Sequence, residues 1–463
     1  MKSLTLTPEL KSEIREFLKL AVPLASAQVA QAMTGFVDTV MMGWLGQTEL
    51  AAGGLAVMMF MTFLMTGNGI LSGVSPLVAE AYGAQRWRRV GQVTRQGLWL
   101  ALLITILSMP LVANLRGLMM QLGQDPAVIN LTDTYLSMAR WGLLPGLCFG
   151  VLRGTVTALS QARPIMVIVI TANVFNVVGN YVLAFGKLGF PAMGLAGLAL
   201  ASTLAHGVMC LLLLAYILWH RQTLFQPYCL FQTLYRLELR IVRVLLKVGM
   251  PIGISTVLEH GLFTVMTLMM GALGTHVLAA QQLALQTVIV VFMVPLAISY
   301  AATIRVGQWY GKRDWVGVKR AAMVSVNAAI AAMVVAAIVF IAFPEPIIRV
   351  YLDVEDPANQ DVLRVGVALL TTAGFGQVVD GVQRTANGVL QGLQDTRVPM
   401  LLGIVAYWVV GLLAGYGLGF HTPLAGIGIW IGSYLGLAVA AIAYIWRFRL
   451  LLMKHQAHTF ATL

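Results

Sequence analysis

Twelve apolar stretches of about 20 residues or more run through this chain, and they constrain its fold more than any other feature. They lie at about 17–42, 51–75, 93–115, 131–155, 164–186, 193–218, 245–272, 277–303, 319–343, 361–389, 398–419 and 424–446. Such a stretch crosses a bilayer as a helix, because a helix satisfies its own backbone hydrogen bonds where no water is present. Of the 463 residues, 59 % are hydrophobic and 10 % are charged. A soluble domain carries about 25 % charged residues, so this chain cannot cover a water-facing surface. Soluble enzymes, disordered scaffolds and nucleic-acid-binding modules are thereby excluded. The expected fold class is an all-α integral membrane protein with twelve transmembrane helices. The first 19 residues carry Lys2, Glu9, Lys11, Glu13, Arg15, Glu16 and Lys19. They have no apolar core of the kind a cleavable signal needs, and read as an amphipathic lead-in at the membrane surface. Cys148, Cys210 and Cys229 are far apart and form no C-x-x-C, so neither a metal nor a disulfide framework is implied.

The basic residues set the orientation. With twelve spans both termini share one side. If that side is the cytoplasm, only Arg116, Arg140, Lys187, Arg349 and Arg364 of the 30 Lys and Arg residues lie outside. The remainder, with Arg384 and Arg397 assigned to a cytoplasmic loop, make a strong positive-inside bias. That bias accounts for the net charge of +12 without a nucleic-acid partner.

The chain also repeats. Pro23 and Pro251 stand 228 residues apart, and the same offset aligns Met41-Met-Gly-Trp-Leu-Gly46 with Met269-Met-Gly-Ala-Leu-Gly274. Leu50-Ala-Ala52 falls on Leu278-Ala-Ala280, and Tyr82, Gly83 and Trp87 on Tyr310, Gly311 and Trp315. The turn at Leu159-Ser-Gln-Ala-Arg-Pro164 resembles Leu393-Gln-Asp-Thr-Arg-Val-Pro399 after a one-residue insertion. Six spans per copy is an even number, so the copies enter the membrane in the same sense, as parallel repeats related by rotation about the membrane normal. The expected organisation is an N-terminal lobe at 1–218, a cytoplasmic linker at 219–244, and a C-terminal lobe with a short tail at 245–463. Duplicated bundles of this kind suit alternating-access transport.

Three acids lie well inside spans: Asp38, Glu259 and Asp380. A carboxylate at mid-membrane costs about 2.5–3.5 kcal/mol even on an insertion scale, so each should face the bundle interior and find a partner. Burial penalises only the charged form of a carboxyl, which suits such a group to proton exchange or Na+ binding. Gln31 lies about two turns before Asp38 on the same helix face, and Pro23 permits a bend in that span. In the fifth span, Asn176 and Asn180 share a face, where their amide oxygens can ligate a cation or accept from a protonated Asp38. Glu259 occupies the repeat position of Gln31, and Asp38 maps onto Met266, so the halves have specialised. If Glu259 and Asp380 converge, one must be protonated or a cation such as Na+ must sit between them. His260 points away from Glu259 on the helix and reads as a packing residue. Gln281, Gln282 and Gln286 read as cavity lining or helix glue, with Gln282 retained as a supporting polar ligand.

At these residues the chain resembles the multidrug and toxic compound extrusion (MATE) transporters, in their NorM-like branch. The resemblance rests on Pro23, Gln31, Asp38 and Met42-Gly43, and on Pro76-Leu-Val-Ala-Glu-Ala-Tyr-Gly-Ala84. Glu259 adds to it, as does Asp380 followed by Asn387-Gly-Val-Leu-Gln-Gly-Leu-Gln-Asp-Thr-Arg-Val-Pro399. It implies two six-helix lobes in a V around a central cavity, and export of cationic amphipathic drugs in exchange for Na+ or H+. It implies cation or proton coupling at Asp38, Glu259 and Asp380, no cofactor, and a monomer in the bacterial inner membrane with both termini cytoplasmic. The family's fifth-span motif often ends in Asp where this chain has Asn180, and an aromatic can stand where it has Gly376.

Two other classes compete. A flippase for lipid-linked saccharides needs Arg and Lys in its cavity to hold diphosphate, whereas these spans read as rich in buried acids and poor in buried bases. A membrane enzyme needs a catalytic cluster. The seven His residues are scattered and form no H-E-x-x-H.

Overall fold

The structure, a computed structural model, describes residues 7–121, 123–232, 235–352 and 359–461, the last six by their backbone alone. Lys2, one of the bases assigned to the cytoplasmic side, lies outside them. Among the described residues no strand forms, and twelve helices are long and apolar enough to cross a membrane. They are α1 (Pro8–Leu45), α2 (Gln47–Gly83), α3 (Trp87–Gln121), α4 (Pro126–Ala158), α5 (Arg163–Phe185) and α6 (Leu195–Trp219). The second half supplies α7 (Leu239–Leu273), α8 (Thr275–Gly311), α9 (Trp315–Ala342), α10 (Gln360–Gly392), α11 (Arg397–Phe420) and α12 (Ala425–His455). All twelve expected spans are present. The lead-in expected on the surface is helical and continuous with α1.

The duplication is written in the backbone. The end of α1, both ends of α2 and the start of α3 recur 228 residues later in α7, α8 and α9. The single residue joining α1 to α2 is Gly46 at φ 148°, and the one joining α7 to α8 is Gly274 at φ 133°. With extended ψ, these angles fall in a region that only glycine occupies without strain. Residues forced to positive φ also pair across the copies: Gln85 with Arg313, and Ser160 with Gln394. The Tyr82–Trp87 edge-to-face contact at 5.7 Å reappears as Tyr310–Trp315 at 5.7 Å.

The helices gather into two compact units. One holds Ser26–Ile254; the other holds Met1–Ala25 and Ser255–Leu463. The divide therefore falls inside α1, just past Pro23, and inside α7, just past Pro251, rather than at the linker. Within the second unit, Glu13 explains why the start of α1 belongs there. It is 2 % exposed. Arg305 of α8 donates to it through Nε at 2.8 Å and Nη2 at 2.6 Å, and Trp309 Nε1 donates to Oε2 at 2.9 Å. The linker is shorter than expected, because α7 starts at Leu239. It packs on α3 in the first unit. Arg95 Nη1 donates to the Cys229 carbonyl at 2.9 Å, and Gln96 Nε2 to the Arg236 carbonyl at 2.9 Å. Burial and the neighbouring Tyr82 push the Tyr228 phenol up to about 12, so it stays neutral.

Each unit has its own apolar core, the first including Phe60, Leu77, Val151 and Leu213, the second including Met270, Leu369, Leu370 and Trp430. Large apolar side chains also cover the outside, as with Leu103, Ile106, Leu107 and Leu111 on α3 and Val335 and Ile338 on α9. In water such surface would aggregate; in hydrocarbon it costs nothing. Helix contacts inside the units use small and hydroxyl residues. Ser299 of α8 donates to the Arg384 carbonyl at 2.9 Å, and Thr303 to the Gly388 carbonyl at 2.8 Å, where a side chain at Gly388 would strike the α8 backbone.

Candidate functional site

In the first unit, the second half of α1 carries Asp38 half-buried against α5. Asn180, fully buried, donates through Nδ2 to Asp38 Oδ1 at 2.5 Å. Asn176, one turn earlier, is 2 % exposed, and its amide stands 3.1 Å from the same carboxyl oxygen and 3.2 Å from Ser202 Oγ of α6. The i, i+4 spacing read from the sequence is what stacks the two amides. With its nitrogen toward Asp38, Asn176 donates to an ionised carboxylate and its oxygen accepts from Ser202. With its oxygen there, it accepts from a protonated carboxyl, and Asn180 Nδ2 reaches Asn176 Oδ1 at 3.3 Å. An amide has both a donor and an acceptor to offer, so the pair suits either charge state of the acid. The Asn180 carbonyl oxygen is buried without a partner, leaving an oxygen ligand beside the carboxyl. Tyr135 of α4 closes the group, sharing a hydrogen bond with Ser202. Gln31 lies exposed on α1, outside this cluster, and Pro23 lies inside an unbroken helix.

In the second unit, Glu259 of α7 is paired. Arg384 Nη1 of α10 donates to Glu259 Oε2 at 3.0 Å, with the two side chains 19 % and 17 % exposed. The guanidinium also lies over the Phe292 ring of α8, 5.1 Å from its centroid. Arg384 was expected in a cytoplasmic loop; it stands inside α10, eight residues or about 12 Å before the helix end. Bases do stand inside the spans: Arg95 is buried and the Arg384 side chain is 19 % exposed. Asp380 lies one turn before Arg384, is 9 % exposed, and interacts electrostatically with both Glu259 and Arg384. α10 also buries a polar run. Both amide atoms of Gln377, the Gln383 carbonyl oxygen and the Thr385 hydroxyl have no hydrogen-bond partner. Gln383 Nε2 donates to the Tyr407 hydroxyl of α11.

The aromatic absent at position 376 is supplied from another helix. A side chain at Gly376 would overlap the ring of Tyr434 of α12, which fills the space one turn from Asp380. Gln282 is exposed, whereas its neighbour Gln281 is buried and donates to Thr267 Oγ1 at 3.0 Å, joining α8 to α7. His260 is exposed, and its ring nitrogen Nδ1 stands 2.8 Å from the Thr256 carbonyl on its own helix. Sequence reading missed Arg384, Tyr434, Ser202 and Tyr135. For Arg384 a signal existed, since a base four residues after an intramembrane acid shares its helix face.

Twelve apolar helices in two units, each burying acids against amide or guanidinium partners, define a polytopic membrane transport protein. A family model described as MatE matches residues 23–182 and 251–416, so its two stretches start at the repeat-related prolines. The chain belongs to the MatE family. It is 58 % identical over 448 residues to a probable multidrug resistance protein NorM of Synechocystis sp., covering 97 % of each chain. It is 36 % identical over 444 residues to the multidrug resistance protein NorM of Burkholderia vietnamiensis, covering 96 % of this chain and 95 % of that one. The crystal structure of MATE in the bent conformation shares the fold at a TM-score of 0.85 and 19 % identity, over 98 % of this chain and 99 % of that one. An outward-facing multidrug resistance MATE family transporter of the MOP superfamily does so at a TM-score of 0.87 and 19 % identity, over 96 % of this chain and 97 % of that one.

Proposed function

We propose that this protein is a multidrug efflux antiporter of the bacterial inner membrane, with both termini in the cytoplasm. It exports cationic amphipathic compounds in exchange for Na+ or H+ by alternating access, acts as a monomer, needs no cofactor and catalyses no covalent chemistry. Asp38, Glu259 and Asp380 carry the cation, and Asn176, Asn180, Gln31 and Gln282 are supporting polar groups. The observation that carries this reading is the Asp38 carboxyl, set in an apolar helix and hydrogen-bonded to Asn180 at 2.5 Å. Ionised, it attracts a cation; protonated, it is satisfied by the amides alone. One group can then serve two ligands in turn, which is what exchange requires. A ligand shifts a conformational equilibrium only through differential affinity for the two states. The relatives' names support multidrug compounds as cargo. The flippase reading finds less support, because Arg384, the base nearest the C-terminal acids, is already bound to Glu259.

Proton and drug should therefore compete at Asp38. Binding of a cationic dye in detergent, from about pH 5 to 9, tests this. Affinity should rise with pH in the wild type and lose that dependence in Asp38→Asn. An unchanged pH profile in the variant would remove Asp38 from the coupling.

A further inference from the structure

We infer that Arg384 is a tethered counter-cation: it supplies to the C-terminal acid pair one of the two positive charges that the pair demands, so that this site takes up a single monovalent cation or proton. The inference rests on the reading of Glu259 and Asp380 as the cation-carrying acids and deepens it.

The argument starts from charge. Glu259 and Asp380 are two carboxylates in one apolar unit; Arg384 is ion-paired with Glu259 and interacts electrostatically with Asp380 one turn away. The three together carry a formal charge of −1. The guanidinium is fixed from several sides. It bonds Glu259 at 3.0 Å, sits over Phe292 at 5.1 Å, and belongs to a backbone segment held by Ser299. Arginine keeps its proton at any physiological pH, so this charge cannot be discharged as the protein works. Among the described residues no ion pair holds Asp380, and Gln377, about one turn before it on α10, has both amide atoms buried without a partner. A cation arriving at the cluster thus meets one bare acid and one that is already neutralised. Within the cation-carrying pair, Asp380 is the principal ligand and Glu259, held by Arg384, the secondary one.

This makes affinity follow the cluster's charge. The probe is tetraphenylphosphonium, titrated calorimetrically into the full-length protein in detergent at fixed pH, with and without Na+. Wild type stands at −1. Arg384→Gln, at −2, should bind about 10-fold more tightly and be displaced more readily by Na+. Glu259→Gln, at 0, leaves the guanidinium beside Asp380 and should bind about 10-fold more weakly. The double variant returns to −1 and should regain wild-type affinity, which a merely structural role would not give. Arg384→Lys should stay on the wild-type side. Should either single variant fail to fold, the double, which removes the Glu259–Arg384 ion pair as a whole and leaves Asp380 as in the wild type, is compared directly with wild type: equal affinity supports the inference and unequal affinity overturns it. If Glu259→Gln and Asp380→Asn both weaken binding but the double variant stays weak, the tethered cation falls and the acids keep their role. If Asp380→Asn binds the probe and responds to Na+ as wild type does, the reading of the acids falls, and the inference with it.

Discussion

At the scale of single residues, the account rests on acids that an apolar helix would not keep without a use. An unpaired carboxylate at mid-membrane is costly, and here Asp38 and Glu259 each have a hydrogen-bonding partner within their own unit, while Asp380 lies one turn from Arg384. Glu259→Gln and Asp380→Asn preserve size and hydrogen bonding but remove charge. Each should abolish coupled efflux while the protein still inserts. Drug resistance of cells carrying either variant, at matched membrane abundance, checks this, and wild-type resistance in both would make the acids structural. Gly376 offers a second test, because the Tyr434 ring occupies its side-chain space. Gly376→Phe should lower stability by about 1–3 kcal/mol through overpacking. Adding Tyr434→Ala should restore much of it, as thermal unfolding of the purified variants would report. The three acids and the stacked Asn pair were legible in the sequence, since an intramembrane charge stands out against apolar neighbours; the vacant aromatic position showed only through the family resemblance. Tyr434 was not, and Arg384 was assigned to a loop although its spacing from Asp380 signalled it. A base within sight of a helix end reads as topology, and an aromatic brought in from another helix has no sequence offset to betray it.

At the scale of helices, periodicity and length were enough to find every span, and the repeat predicted where equivalent turns recur. Gly274 sits at φ 133° and ψ 157° between α7 and α8. Gly274→Ala should cost about 1–3 kcal/mol, because a Cβ is strained in that region. The equivalent change at Gly46 should cost a similar amount, and unequal losses in denaturation midpoint would separate the two turns. Less legible was the start of α1. Its charges look like a surface face, yet Glu13 is buried by Arg305 and Trp309 from a helix nearly 300 residues away in sequence. Long-range partners of this kind leave no local trace. Glu13→Gln leaves a guanidinium unpaired and should destabilise by about 3–5 kcal/mol. Replacing Arg305 by Met in the same protein should recover part of the loss, measured as a double-mutant cycle.

At the scale of the whole molecule, the sequence and the backbone agree on a duplicated six-span unit, and the family's two matched stretches begin at the same offset. With both termini in the cytoplasm, as proposed from the positive-inside imbalance, cysteine reporters at either end should resist an impermeant thiol reagent in intact cells. The central claim is that buried acids exchange an inward-moving cation for an outward-moving cationic drug. Transport in proteoliposomes, with Na+ and pH gradients imposed separately, tests it most directly. The account predicts that at least one gradient alone drives dye movement against its own concentration gradient, and that Asp38→Asn, Glu259→Gln and Asp380→Asn together abolish the response. Dye movement indifferent to both gradients, or equally driven in the triple variant, would contradict it.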